Sequence, residues 1–437
     1  MSQTYQALEG ELSIRGATTA TRAGQTNAVA IVGGYDESNA ASEVTTNEAT
    51  RITDPTTASD TFGASEIARE AQAIAANGVG TIYGVPVPET QTTETVSTSS
   101  SATLAESPVF DPTVHPDHEI LVTDTDAGAD LTVNIVYDDA PSTPTKDNTA
   151  NVNPINGEVA IDTSGNYDIT YTYGEYADAI STAGDLNVAA IHVGTEAPSV
   201  KSTLQTELAD RAQDFDFIRG YVGATPDIGP TDIGDYTPDV QDWRIVEVAP
   251  SRASGASGAV RTAAAVAGFM ASQPIGPDGS GLYDAVGGIT SLNTEYRPSE
   301  AKDFNGVTSL TRNGLVARAK TTSTEEQFED IYAVEIIDNV ALGLFNVARS
   351  YAGGPQDTNE LETLLSIQCQ SFATGNPPQL GFGDGRSANP YDVTVSLGTD
   401  TSVADAGVTI VPYPIAETVN LSITVSDGFV QFEGASA

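Results

Sequence analysis

The 437-residue sequence predicts an α/β (α+β) protein of several domains, with a β-sandwich inserted into its core and extended strands at both ends. Three observations predict this. Short apolar runs alternate with helix-spaced segments on either side of residues 89–175. Residues 89–175 themselves break into short alternating runs bounded by Gly, Asp, Asn or Pro, the mark of close-set strands. At each end a lone alternating stretch lacks a local partner, and one strand cannot stand unpaired in water.

Residues 1–24 are polar except for the alternation at Leu12, Ile14 and Gly16, which reads as one strand added to a sheet in this chain or in a neighbour. Ala28-Val-Ala-Ile-Val-Gly-Gly34 is a buried strand closed by a tight turn. Ile67, Ala68, Ala71, Ile74 and Ala75 follow helical spacing, Asn77-Gly78 stops that helix, and Thr81–Val87 is a second strand. This β-α-β unit, residues 25–88, is the first part of the core.

Ser and Thr crowd residues 92–103, and strands follow at 120–123, 131–137, 158–161 and 167–173. Residues 89–175 therefore read as an inserted β-sandwich, with a sequential domain as the alternative. The α/β pattern resumes over 176–308. Helices are predicted at 176–182, 199–212 and 258–270, and strands at 186–193, 215–222, 244–248 and 295–298. Residues 309–437 form a C-terminal domain. A strand at 313–322, a long helix at 331–351 and another at 361–373 precede strands at 391–397, 408–412 and 419–425.

Composition narrows the function. Sixty acidic residues face 18 basic ones, a net charge of −42, and lysine occurs only at Lys146, Lys201, Lys302 and Lys320. Such a surface repels itself in dilute buffer, while at molar salt the screening length falls to about 3 Å. The acids are spread along the chain rather than gathered in a disordered tail, so a high-salt cytoplasm is expected. No basic stripe exists to neutralise phosphates, which excludes free nucleic acid as a partner. Cys369 is the one cysteine; it excludes a disulfide framework and reads as a small core residue. No basic start followed by an apolar run marks an export signal, and no stretch approaches the roughly 20 apolar residues of a membrane span.

The motifs that could carry chemistry are weak. His115-Pro-Asp-His118 lacks a third ligand and its proline breaks a helix, so it reads as a solvated loop. Asp124, Asp126 and Asp130, with Gly128 between, have the spacing of a calcium loop, but Ile135 stands where a closing Glu would be. They remain a weak metal candidate. Ser251–Gly258 could cradle an anion before a helix, but it lacks a phosphate-loop ending and reads as a capping turn. No nucleophile elbow is present, and the acids are too many for any pair to stand out. No enzyme activity and no cofactor are expected.

Three stretches resemble contractile tail sheath proteins of bacteriophages, archaeal viruses and injection systems. These are Ala28–Gly34; Val248-Ala-Pro-Ser251 with Gly258–Thr262 and Ala264–Phe269; and Leu310–Arg318 followed by two helices, Asn389–Val395, Val408–Pro414 and Glu417–Val425. The resemblance covers about two thirds of the chain and leaves out the β insertion. It implies a tail-sheath-like core whose subunits stack as sixfold rings around a tail tube protein, between baseplate and tail terminator proteins. It also implies terminal arms that complete neighbours' sheets. Here those are Leu12, Ser13, Ile14 and Arg15 at one end, and Val419, Asn420, Leu421, Ser422, Ile423, Thr424 and Val425 at the other. The composition makes the expected source a haloarchaeal system, assembled in the host cytoplasm and carried in the virion tail. A surface-layer or adhesin-like protein is the alternative from another class, and a halophilic enzyme with a β insert is a third.

Overall fold

The computed structural model describes residues 10–12, 27–98, 100–115, 118–137, 140–213, 216–226, 228–273, 281–325, 328–351, 358–375, 378–382, 388–397, 404–412, 421–426 and 429–434. They fall into two compact units. The larger lies within residues 18–274 and 283–334, the smaller within 1–17, 275–282 and 335–437.

In chain order the elements begin β1 (Gly10–Leu12), β2 (Ala28–Gly33), β3 (Thr50–Ile52), α1 (Ala58–Phe62), α2 (Glu66–Ala75) and β4 (Thr81–Pro86). Next come β5 (Glu89–Thr98), β6 (Ser101–Thr103), β7 (Leu121–Asp124), β8 (Ala129–Asp130), β9 (Thr132–Ile135), β10 (Thr149–Asn153), β11 (Glu158–Ile161) and β12 (Gly165–Gly174). The chain continues through α3 (Ala177–Gly184), β13 (Ala190–Val193), α4 (Pro198–Gln213), β14 (Arg219–Gly223), β15 (Ile245–Ala249), β16 (Arg252–Gly255), β17 (Gly258–Arg261) and α5 (Thr262–Ser272). It closes with β18 (Ser291–Leu292), α6 (Pro298–Ala301), β19 (Thr308–Leu310), β20 (Val316–Arg318), α7 (Ile331–Tyr351), α8 (Thr358–Ala373), β21 (Tyr391–Leu397), β22 (Ala404–Ile410), β23 (Leu421–Ser426) and β24 (Phe429–Gly434).

In the larger unit eight strands form one sheet, ordered β20-β19-β15-β14-β13-β2-β4-β3. The six inner strands are parallel, while β20 and β3 close the edges antiparallel. Every residue of β2, β13, β14 and β15 is buried, as a sheet covered on both faces requires. Ala28, Ala30 and Val32 pack with Ile180 of α3 and Leu204 of α4. Because strand side chains alternate, Val29 and Ile31 face the other side, where α2 and α5 lie on the sheet. Gly268 lets those two helices approach: a Cβ there would sit 2.7 Å from the Ile74 carbonyl oxygen.

Strands β5 to β12 make two four-stranded sheets, β5-β12-β7-β8 and β6-β11-β10-β9. Val122, Val152, Ile161, Tyr167 and Ile169 fill the space between them. Strands β5 and β12 pair along their whole length, from Thr98 with Gly165 to Glu89 with Gly174, so the segment enters and leaves side by side. The Ser/Thr run that reads in the sequence as a change of composition is itself strand β5. Alternate hydroxyls face out, Thr93 Oγ1 lying 2.8 Å from Thr170 Oγ1, and Thr95 Oγ1 donating to Asp168 at 2.6 Å.

Within the smaller unit, β1, β22 and β21 form a three-stranded sheet and β23 pairs with β24 as a hairpin. Leu361, Leu365 and Cys369 are the buried positions of α8.

Four expectations need correction. Residues 258–261 are a strand and not helix, because β16 and β17 form a hairpin in which Gly258 takes a φ of 127°. Residues 298–301 are a short helix that starts at Pro298, a residue suited to a first helical turn, and the strand of that region is Ser291–Leu292. The strand read at 215–222 begins at Arg219. Finally, Ile331–Ala348 of α7 is an 18-residue stretch of mean hydropathy 1.5, long and apolar enough to cross a membrane. Glu335 and Asp338 interrupt the run in the sequence and hide its length; both are buried, as is 56% of the stretch.

Candidate functional site

The carboxyl ends of β2, β13 and β15 border the kind of crevice where parallel sheets hold ligands. Here the crevice is filled by charged side chains. Helix α2, capped by the Ser65 hydroxyl, presents Glu66 and Glu70 one turn apart, both fully buried. A Cβ on Gly33 at the end of β2 would lie 2.7 Å from Glu66 Oε2, so the glycine makes room for that carboxylate. His192 comes from β13 and Glu196 from the segment after it. The β16–β17 hairpin sets Arg252 and Arg261 in register as cross-strand partners. Asp111 and His115 arrive from the sandwich.

These groups pair closely. Arg252 Nη2 reaches Asp111 Oδ2 and Glu196 Oε2, each at 2.9 Å. Arg261 Nε lies 3.0 Å from Glu196 Oε1, and its Nη1 pairs with Glu66 and stands 3.6 Å from Glu70. Ser251 Oγ donates to Glu196, and the Gly34 amide donates to Glu66. His115 Nε2 is 2.9 Å from Glu66 Oε2. His192 faces oxygens on both sides, Tyr221 O and Glu70 Oε2, each at 3.0 Å.

Burial lowers the His115 pKa to about 4, which leaves the ring neutral at pH 7 and makes its Nε2–H the donor to Glu66. Burial also lowers Arg261, to about 9, still above neutrality. For Arg252 burial works against the charge, but Glu196 and Asp111 outweigh it and the pKa rises. Burial raises Glu196 above the usual carboxylate range despite Arg252 and Ser251 beside it. Two arginine cations thus sit among four acids. A cavity of about 10 Å³ beside Arg252 and Arg261 is roughly the size of one water molecule.

A second buried cluster stands apart. Lys201 Nζ of α4 lies 2.8 Å from Asp239 and 2.9 Å from Glu247, and the Tyr236 hydroxyl donates to Glu247 at 2.6 Å. Nearer the surface, a cavity of about 450 Å³ is bordered by Tyr35, Asp36, Arg69, Glu89, His115 and His118. Several of its charges are already engaged: His118 pairs with Glu89 at 2.9 Å, and Arg69 donates to the carbonyls of Ala64, Val114 and Ala259.

The residues singled out from the sequence stand elsewhere. Asp124 Oδ1 accepts the amides of Asp126 and Ala127, and Asp130 accepts from Thr123, so the three acids shape the β7–β8 turn. Among the described residues no group of three or more His, Cys, Asp or Glu could hold a metal ion. His115 and His118 are not a solvated loop: they are 5% and 19% exposed, and each turns to its own glutamate. Ser251–Gly258 is neither an anion cradle nor a cap but most of the arginine-bearing hairpin. At the ends, Gly10, Glu11 and Leu12 pair with Val408, Gly407 and Ala406 of the same chain, while Leu421, Ser422, Ile423, Thr424 and Val425 lie in the β23–β24 hairpin. Ser13, Ile14, Arg15, Val419 and Asn420 lie outside the described residues.

No protein-family model matches the sequence, and no curated protein matches it. Solved structures do match. The helical sheath of the anti-feeding prophage in its contracted state aligns with a TM-score of 0.53 and 11% identity over 97% of this chain and 100% of that one. The contracted PVC sheath complex of an extracellular contractile injection system gives 0.53 and 12% over 98% and 99%. The sheath tail protein of Listeria innocua gives 0.51 and 14% over 94% and 96%. This chain has the multidomain α/β fold of tail sheath proteins along nearly its whole length.

Proposed function

We propose that the chain is a structural subunit of a contractile tail sheath. The observation that carries this reading is the extent of the likeness: 97–98% of the chain aligns with two contracted sheaths. Subunits stack as hexameric rings around a tail tube protein, meet a baseplate at one end and a terminator at the other, and contract to drive the tube through a host envelope. The work comes from contacts made between subunits and needs neither catalysis nor a cofactor.

The linkage runs through the chain ends. Strand β1 is three residues long and lies on the outer edge of β22, held by main-chain pairing. The same edge accepts the same residues from a neighbour, since strand addition leaves side chains out of the bond. Leu12–Arg15 of one subunit and Val419–Val425 of another are the linking segments. A two-stranded ribbon such as β23–β24 is marginal by itself and gains stability on a neighbour's sheet.

The surface charge supports a haloarchaeal virus or injection system, with assembly in the host cytoplasm and residence in the virion tail. Among the described residues Lys201, Lys320, Arg219, Arg244, Arg252 and Arg261 are buried, but so are Glu66, Glu70, Asp111, Glu196, Glu247, Glu335 and Asp338, so nearly the whole acidic excess stays on the exterior. Like-charged subunits approach one another when salt shortens the screening length. Negative-stain imaging of the full chain in about 3 M salt, where the screening length is below the roughly 3 Å of a 1 M solution, should show tubes. Deleting residues 1–20 should leave soluble folded subunits that form none. Tubes from the truncated chain would refute the role given to the N-terminal arm, and a full chain that stays monomeric at every salt would refute the sheath itself.

A further inference from the structure

We infer that the inserted sandwich is clamped to the α/β core chiefly by a plug, Val109–His115, beside which Ile155 packs on the same core cluster, and that it travels with that core as a single rigid body. The inference concerns this chain alone and does not depend on its assembling into a sheath.

The chain crosses between core and sandwich twice, at Val87–Glu89 and at Gly174–Tyr176. Glu89 and Gly174 are register partners, so the two crossings lie side by side. Two adjacent crossings make a hinge, free to swing about the line through them. A third attachment away from that line removes the freedom, and the plug supplies it.

The plug belongs to the sandwich: the Phe110 amide donates to Thr172 O of β12 at 2.9 Å. Its side chains belong to the core. Phe110, 3% exposed, packs in the cluster that holds Val32, Val85 and Tyr176. Asp111 accepts from Arg252 of the β16–β17 hairpin, and the same Arg252 nitrogen reaches Glu196 after β13. The Tyr137 hydroxyl of the sandwich donates to Asp111 Oδ2 at 2.8 Å, so this one carboxylate ties both bodies. Val114 O accepts from Arg69 and His115 donates to Glu66, both on α2. Withdrawing the plug would leave Arg252 short of an anion and Glu66 short of a donor, in a site away from water. Breaking a buried pair in this way is far costlier than losing a surface one. The plug therefore stays seated while the fold persists.

Spin-label distance measurement on the full chain in high salt tests this. One label goes at Ala127→Cys on the β7–β8 turn and one at Ser202→Cys on α4, with Cys369→Ala; both label sites are exposed. The otherwise unaltered chain should give one narrow distance. Asp111→Asn, which keeps the shape but weakens the tie to Arg252, and Phe110→Ala should each broaden it or add a second distance. Asp239→Asn, which weakens the separate Lys201 cluster, should leave it narrow. A broad distribution before any change at the plug would overturn the inference. So would unaltered width in Asp111→Asn, the variant closest to native shape, or equal broadening in Asp239→Asn.

Discussion

His115 lies 4.7 Å from Phe110 and 5.7 Å from His118, ring centre to ring centre, with Glu66 on its Nε2. Glu66 is already paired with Arg261, so it adds little pull for a second positive charge, and Glu89, Glu70 and Asp111 act against Arg69 from farther away. Burial dominates and the folded pKa falls to about 4, from an unfolded value near 6.5. Between those values the unfolded chain binds a proton that the folded chain refuses. Stability contributed by neutral His115 is therefore full above about pH 6.5 and drains away as pH falls toward 4. Denaturant midpoints at fixed salt should drop over that window in the native protein and drop less in His115→Gln; parallel curves would refute the assignment. Little of this was legible in the sequence. Proline between the histidines rules out a shared helix face but says nothing of burial. Glu66 and Glu70 stand beside the apolar positions of a readable helix, yet their meaning comes from arginines far along the chain. Asp111 and Arg252 are 141 residues apart, and Glu70 and Arg261 are 191 apart.

At the scale of elements, period was a sound guide where side chains sort by burial. The apolar run of β2, the stripe of α2 and the extent of α7 follow from it directly. It failed where a strand hides no apolar face of its own. Strand β5 is almost all Ser, Thr, Glu and Gln, and its pairing with β12 rather than its composition makes it a strand. The β16–β17 hairpin failed for another reason: its small residues suit a helix start equally well, and a turn through Gly258 decides between them. Close packing of α2 on α5 gives a direct test. In Gly268→Val the new Cβ meets the backbone of Ile74, which cannot move as a side chain would. The helices must separate, and the loss should be about 1–3 kcal/mol in a denaturant titration. A midpoint unchanged from the native protein would show that the contact is looser than the geometry implies.

For the whole molecule, charge is the property read most directly from the sequence, whereas the order of eight strands in the central sheet is not. Strand order comes from contacts between distant segments, and no local pattern encodes them. Burial leaves the charge argument intact, because among the described residues six buried bases are matched by seven buried acids and the acidic excess remains outside. The thermal midpoint should climb steadily from dilute buffer to about 3 M KCl as repulsion is screened. A flat response would mean that the carboxylates are offset by some other means.

Glu89 and Gly174 meet as neighbours on adjacent strands, about 5 Å apart. That makes residues 89–174 a cassette in the sense used by protein engineers: a module whose two ends fit one socket. A foreign domain with similarly close ends could be spliced there without stretching the host sheet. To sit still, it would have to bring its own substitute for Phe110 and Asp111.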